Sequence, residues 1–194
     1  MGYDVLNVQI RGLTPTIMHN GQLANPLNEW TRAIKVITSK SAKKKTDADF
    51  LELTRLEWYG GIYVDDDGAP CWPGENIETM IKHAARSQSK GREVEKGLIC
   101  EGNWPLIFDG PKTADELWES GDFVLTKAAR VTQSKIMRTR PIFPDWELYF
   151  ELRWNADYFN RDQLVHWLEV AGSDIGLSDW RPKYGRFEVL KVWV

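Results

Sequence analysis

Positive charge without neighbouring negative charge distinguishes the segment from Phe123 to Phe143. The segment contains no aspartate or glutamate, and its five basic residues are Lys127, Arg130, Lys135, Arg138 and Arg140. Side chains of one sign that lie close together repel one another, so an anionic partner would stabilise them. If that partner is a chain of phosphates, each contact also releases condensed counterions. The alternative is a solvated edge strand, in which positive charge prevents pairing with other strands.

Two further segments are basic. Residues 31–45 contain six lysines and arginines and no acid, and they end in the cluster Lys43, Lys44 and Lys45. Residues 82–96 contain five, among them Lys82 and Arg86, against two glutamates. The net charge of the chain is −3 and its pI about 5.7. Because the charges are segregated along the sequence, an acidic chain can still present a positive groove.

A glycine-punctuated segment near the end of the chain adds three cations. The stretch GLSDWRPKYGRF (176–187) contains Arg181, Lys183 and Arg186. Glycine allows the backbone to approach a phosphate closely, and neighbouring cations complete such a site. The alternative is a tight turn that leads into the last strand.

The histidines and cysteines favour neither a metal centre nor a disulfide. His19, His83 and His166 stand at none of the usual metal-ligand spacings, and Cys71 and Cys100 lie far apart. We therefore expect no metal, no cofactor and a reducing, cytoplasmic environment. The acidic stretch DDDG (65–68) predicts a turn rather than a cation site.

His19 is a candidate for acid–base chemistry. It lies in TIMHNGQ, on the loop after the first predicted strand. A histidine beside a basic groove can act as general acid or base in RNA cleavage. The alternative is a polar loop residue or a capping contact.

Hydropathy patterns predict the elements that must position these residues. Leu6, Val8 and Ile10 alternate within a first strand at 3–10, and the stripe from Ile77 to Ala85 recurs at helical spacing. The other predicted elements are helices at 27–39, 47–58 and 91–98, a short strand in GGIYV, a buried strand at 104–110, a helical turn after Thr113, hairpin strands at 123–131 and 134–143 joined through Thr132 and Gln133, a strand at 146–154, a helix after Asn160 and a final strand.

This order predicts an α+β fold. Without its insertions it is strand-helix-strand-strand-helix-strand, the ferredoxin-like (RRM-like) pattern, with helices on one face of an antiparallel sheet. We expect a single domain over residues 1–194, with 123–143 as a protruding hairpin. The sequence contains no apolar run of membrane-spanning length and no signal-peptide pattern at its start.

Three segments together resemble the RAMP superfamily, the ferredoxin-like RNA-binding proteins of CRISPR effector complexes. CWPGENIETMIKHAAR (71–86) resembles the Pro-Gly turn and helix of that family, and GLSDWRPKYGRFEV (176–189) resembles its glycine-rich loop. RGLTPTIMHNG (11–21) resembles the segment after the first strand. The resemblance is to backbone subunits that coat a guide strand and kink it with a hairpin called the thumb, here residues 123–143.

The resemblance and the charges together imply a non-enzymatic protein that binds single-stranded RNA or DNA. A stand-alone or phage-encoded relative fits as well as a CRISPR subunit. Its partners would be the strand, further copies in a head-to-tail oligomer, other effector-complex subunits, and no membrane. The expected contacts with phosphates are Lys43, Lys44, Lys45, Lys82, Arg86, Lys127, Arg130, Lys135, Arg138, Arg140, Arg181, Lys183 and Arg186.

Apolar residues beside these cations are expected to wedge against bases or stack on them. They are Ile136, Met137 and Phe143. Two alternatives remain open: a metal-independent endoribonuclease that uses His19 or His83, and an interaction module whose basic patches bind acidic protein surfaces.

Overall fold

The computed structural model describes residues 2–131 and 134–194. Its strands are β1 (Asp4–Gly12), β2 (Thr16–Ile17), β3 (Cys71–Pro73), β4 (Leu98–Ile99), β5 (Asn103–Ile107), β6 (Val124–Val131), β7 (Ser134–Phe143), β8 (Glu147–Trp154) and β9 (Phe187–Trp193). Its α-helices are α1 (Glu29–Thr38), α2 (Asp47–Gly61), α3 (Gly74–Ala85), α4 (Gly91–Gly97), α5 (Ala114–Ser120) and α6 (Arg161–Val170). The turn expected at Thr132 and Gln133 lies outside the described residues.

The main sheet has the ferredoxin-like strand order. Its strands run β3-β5-β8-β1-β9, all neighbours are antiparallel, and β4 also pairs with β8. The helix α3 connects β1 to β5, and α6 connects β8 to β9. The α+β, ferredoxin-like prediction is therefore confirmed. The first insertion, between β1 and α3, contains α1 and α2, and the second, between β5 and β8, contains α5 and the hairpin of β6 and β7.

Alternation along the strands determines which face of the sheet carries the helices. Leu6, Val8 and Ile10 of β1 are fully buried, and so are the alternate residues Leu148, Phe150 and Leu152 of β8. They form one core with the apolar stripe of α3 and with Leu164, Trp167 and Leu168 of α6. On the opposite face, Tyr149 stacks on Trp193 at a ring-centroid distance of 5.5 Å.

The helices α5 and α6 begin after Thr113 and Asn160, as the sequence predicts, and both residues are side-chain caps. Asn160 and Gln163 form a complete capping box at the start of α6. At α5, the Thr113 hydroxyl accepts a hydrogen bond from the Glu116 amide, but the Glu116 carboxylate bonds the threonine hydroxyl instead of the backbone. Only one backbone donor is therefore satisfied there.

The α2 region differs from the prediction. GGIYV is not a strand: Gly60 and Gly61 end α2, and only Val64 makes a bridge, to Pro70. A Cβ on Gly60 would lie 2.7 Å from Leu23 Cδ2, so the glycine lets α2 pack closely against Leu23. Within the helix predicted at 47–58, the apolar residue Phe50 is 54% exposed, whereas the acidic residue Glu57 is buried.

The structure contains the predicted hairpin of β6 and β7. The hairpin also has a neighbouring strand that the sequence did not predict. Its strands pair from Val124↔Pro141 to Val131↔Ser134, and β2, predicted as loop, pairs with β7. Phe143 is fully buried and packs against Phe108 with centroids 5.0 Å apart, so the expectation that it wedges against bases or stacks on them is wrong. Another difference is β5, predicted to be buried, where only Leu106 is inaccessible. No α-helix in the described ranges is long and apolar enough to cross a membrane.

Candidate nucleic-acid interface

The three segments singled out by the sequence meet at one cavity of about 220 Å³. The segment after β1 contributes one residue, the turn and first half of α3 contribute three, and the glycine loop, residues 176–186, contributes the rest. The lining residues are His19, Trp72, Asn76, Thr79, Leu177, Ser178, Asp179 and Arg181.

Hydrogen bonds to backbone carbonyls hold the glycine loop against the segment after β1. The Gly185 amide donates to the Pro15 carbonyl at 2.8 Å, and the Thr16 hydroxyl donates to the Leu177 carbonyl at 2.6 Å. Gly185 has a φ of +77°, and a Cβ there would lie 2.4 Å from the Leu177 carbonyl oxygen. Gly185 is therefore needed because the loop folds back on itself at Leu177. This agrees with the alternative interpretation of the segment as a tight turn.

The cations of the glycine loop lie at the surface beside α3. Arg181, Lys183 and Arg186 are exposed, and the Arg186 guanidinium donates to the Pro182 carbonyl at 3.0 Å. Burial lowers the pKa of His83 on α3, and the positive charges of Arg86 and Arg181 lower it further. Arg181 of the glycine loop and Arg86 at the end of α3 are thus both close enough to His83 to lower its pKa.

The two basic residues predicted on α3 differ in their surroundings. Lys82 forms an ion pair with Glu95 of α4, with Nζ and Oε1 2.8 Å apart. Arg86, at the end of α3, is exposed. Of these two cations, Arg86 is therefore the better placed to contact a ligand.

Two hairpin arginines are neutralised by acids that the sequence places far away. Arg138 pairs with Glu57 of α2, which is only 4% exposed. Arg140 donates to the Asp179 carboxylate at 3.1 Å and to the Thr139 carbonyl at 3.0 Å. The hairpin segment contains no acid, but the fold supplies one from α2 and one from the glycine loop.

Of the other hairpin cations, Lys127 lies opposite Arg138 in the strand register. The Lys127 ammonium contacts the Tyr184 hydroxyl of the glycine loop at 3.4 Å, so β6 and the loop adjoin. Arg130 and Lys135 are opposite one another in the strand register, and both are exposed.

The lysine cluster lies beside the hairpin. Lys43 and Lys44 are exposed on a short 3-10 turn, while Lys45 donates to the Thr38 carbonyl at 3.3 Å. Lys45 also lines a groove together with Lys135 of β7. The cluster therefore extends the basic surface of the hairpin.

His19 separates the first cavity from a second one. The second cavity, about 300 Å³, is also lined by Glu57, Arg138 and Arg140. Burial lowers the pKa of His19 below its ordinary value, and the nearby charge of Arg140 lowers it further. A neutral imidazole at neutral pH is able to accept a proton.

The acidic turn at 65–68 is held by its own backbone. The Asp65 carboxylate accepts hydrogen bonds from the amides of Asp67, at 3.0 Å, and Ala69, at 2.8 Å, which confirms the predicted turn. Within residues 2–131 and 134–194, no three histidine, cysteine or acidic side chains are grouped closely enough to hold a metal ion.

The partners of the arginines are the residues that sequence reasoning missed. Glu57 carried one signal: it is a lone acid between Leu56 and Trp58, both of which are buried. A buried acid requires a partner, but nothing in the sequence names Arg138 as that partner. Asp179 carried no comparable signal.

No family model matches this sequence, and no curated protein matches it. Comparison with solved structures finds similarity to the crystal structure of Cmr6 from Pyrococcus furiosus. The two chains are 9% identical, the alignment covers 97% of this chain and 99% of that chain, and the TM-score is 0.40. The ferredoxin-like strand order described above is independent of this comparison.

Proposed function

We propose that the protein binds single-stranded nucleic acid along a cationic surface that joins the hairpin, the glycine loop and the flank of α3. The observation that carries the proposal is the proximity of three basic segments that are distant in sequence. The Lys127 ammonium of β6 lies 3.4 Å from the Tyr184 hydroxyl of the glycine loop, and Arg181 of that loop lines one cavity with Asn76 and Thr79 of α3. Cations gathered on one surface of an acidic chain favour a polyanionic ligand.

The expected cations have different roles in this proposal. Ion pairs with carboxylates hold three of them, which position the surface: Lys82, Arg138 and Arg140. The others reach solvent and contact phosphates: Lys43, Lys44, Lys45, Arg86, Lys127, Arg130, Lys135, Arg181, Lys183 and Arg186.

We further propose that the protein is a relative of the RAMP superfamily that assembles head-to-tail along its strand. Two observations support this proposal: the ferredoxin-like order with a hairpin insertion, and the meeting of the three family-like segments at one cavity. Binding through phosphates tolerates any base sequence and applies to RNA and DNA alike.

The test is fluorescence anisotropy with labelled single strands of about 40 nucleotides, over about 50 to 200 mM salt. Affinity is expected to fall steeply with salt, and replacing Lys127, Lys135 and Lys183 by alanine is expected to reduce the slope by about 2, or roughly 0.7 per lost phosphate contact. Lys191→Ala is the matched control, because Lys191 is exposed on β9 opposite Gln9. Absence of binding at low salt, or an unchanged slope in the triple variant, would overturn the proposal.

A metal-independent endoribonuclease is the second candidate. It is favoured by the lowered pKa of His19 between two cavities that also carry arginines. Labelled RNA incubated with the protein and a chelator would be cleaved by the wild type and remain intact with His19→Ala. RNA that stays intact with the wild type would exclude this activity.

A further inference from the structure

A groove lies between α2 and β7. Its volume is about 720 Å³, and its floor is formed by the apolar side chains of Phe50, Leu53, Ile136 and Met137. Phe50 is 54% exposed, Met137 56% and Ile136 40%. Apolar side chains gathered at one exposed groove are typical of a binding site.

The rim of this groove is positive. Lys45 and Lys135 lie along it, together with Arg138. Among the described residues that line the groove, the single carboxylate is that of Glu57, and both of its oxygens are occupied by Arg138 and by the Thr139 amide. The groove therefore offers apolar surface to a ligand whose outer part is anionic.

The groove offers few groups that would read hydrogen-bonding patterns. The Thr54 hydroxyl donates to the Phe50 carbonyl at 2.9 Å, and the hydroxyls of Thr126 and Thr139 bond each other at 2.9 Å. The Thr38 hydroxyl donates to a carbonyl of its own helix. A ligand held here is recognised by apolar contact and charge, not by its polar edge.

We infer that this groove receives unstacked nucleobases of the bound strand, with the adjoining phosphates on Lys45 and Lys135. The inference rests on the proposed function and assigns the bases to a place distinct from the cavity at His19. A base presents a flat apolar face, and its contact with an aromatic side chain such as Phe50 requires no particular sequence. A nucleic-acid strand is favoured over an acidic protein segment because the positive rim continues into the exposed lysines 43 and 44.

The experiment compares two labelled strands of equal length and phosphate number. One carries bases throughout, and the other has stable abasic residues in its central part. The proteins are the wild type, Phe50→Ala and, as matched control, Leu51→Ala, since Leu51 is 72% exposed on the same helix and lies outside the groove. Met137→Ala provides a second groove variant on the other wall.

The wild type is expected to bind the abasic strand more weakly than the complete one. Phe50→Ala and Met137→Ala are each expected to lose about tenfold in affinity for the complete strand and little for the abasic one. Leu51→Ala is expected to bind both strands as the wild type does.

Three results would overturn the inference. If both groove variants bind the complete strand like the wild type, the groove takes no base and serves another ligand, such as an acidic protein segment, while the proposed function stands. If they weaken both strands equally, the groove contacts only the phosphate chain. If the wild type binds neither strand, the proposed function fails and the inference fails with it.

Discussion

Glu57 and Arg138 form an ion pair that fastens the middle of β7 to α2. The second oxygen of the Glu57 carboxylate accepts the backbone amide of Thr139 at 2.8 Å. One buried side chain thus holds both a side chain and the backbone of β7. The orientation of the hairpin therefore depends on a residue that lies outside the hairpin.

Glu57→Gln is expected to destabilise the protein by about 1–3 kcal/mol, because it leaves a buried hydrogen-bonded charge pair half satisfied. The free energy of unfolding in urea measures the effect. Glu52→Gln is the control, since Glu52 pairs with Arg55 on the exposed side of the same helix and should lose less than about 1 kcal/mol. Equal losses in the two variants would contradict a fastening role for Glu57.

Asp179→Asn is expected to move stability and binding in opposite directions. It leaves the largely buried Arg140 without its carboxylate, which is expected to cost about 1–3 kcal/mol of unfolding free energy. It also removes a negative charge beside Arg181, so the affinity for a labelled strand at low salt should rise severalfold.

The control for Asp179→Asn is Glu101→Gln, which removes an exposed acid paired with Arg153. This variant should change neither the unfolding free energy nor the affinity appreciably. A loss of affinity in Asp179→Asn would show that Asp179 orders the surface and that its negative charge does not compete with phosphate.

Stability should fall as the pH drops below about 7, because the pKa values of His19 and His83 are lowered in the folded state. The unfolded chain takes up protons near the ordinary pKa of 6.5, whereas the folded protein resists them, so acidification favours unfolding. The loss is complete below the lowered pKa values, where both states are protonated.

Urea unfolding at about pH 7.5 and 5.5 measures this difference. The double variant with His19→Gln and His83→Gln should lose much of it. Carboxylates whose pKa is lowered, such as Glu147 beside Arg11, contribute only at more acid pH, below their ordinary 4.5. A double variant with the full wild-type pH dependence would contradict the assignment.

Gly185→Ala is expected to be the more damaging of two matched glycine substitutions. Both Gly185 and Gly68 have positive φ, +77° and +81°, but a Cβ on Gly68 meets nothing within 4 Å. Gly68→Ala should therefore cost about 1–2 kcal/mol for backbone strain alone. Gly185→Ala adds a clash with the Leu177 carbonyl and should cost more, which thermal unfolding would measure together with weaker strand binding. Equal costs would show that loop closure is not the constraint.

The elements were predictable where a local pattern decides them. The alternation of Leu148, Phe150 and Leu152 identifies β8, and the spacing of Ile77 and Met80 identifies α3, because burial of one face leaves a period in the sequence. The sequence analysis placed a strand at GGIYV, although α2 continues through Gly60 to Gly61. A glycine that permits close packing within a helix cannot be distinguished in sequence from one that ends a helix.

The site was predictable only in part. The three family-like segments were identified from their own residues, and the structure places them at one cavity. The pairing of Arg138 with Glu57 was not, since the two residues are 81 positions apart and no periodic pattern connects them. The groove beside Phe50 was also missed, because the apolar spacing of α2 predicts burial and does not reveal that part of the helix lacks a covering element.

The bond between Thr16 and Leu177 has a consequence for the time at which the protein becomes functional. It joins residues 161 positions apart, and contacts of such long sequence separation form late because a large loop must close first. During synthesis, β1 leaves the ribosome long before the glycine loop exists. The cavity at His19 can therefore close only after the glycine loop has been synthesised, so a nascent polypeptide that ends before Leu177 would have its basic hairpin but not its assembled surface.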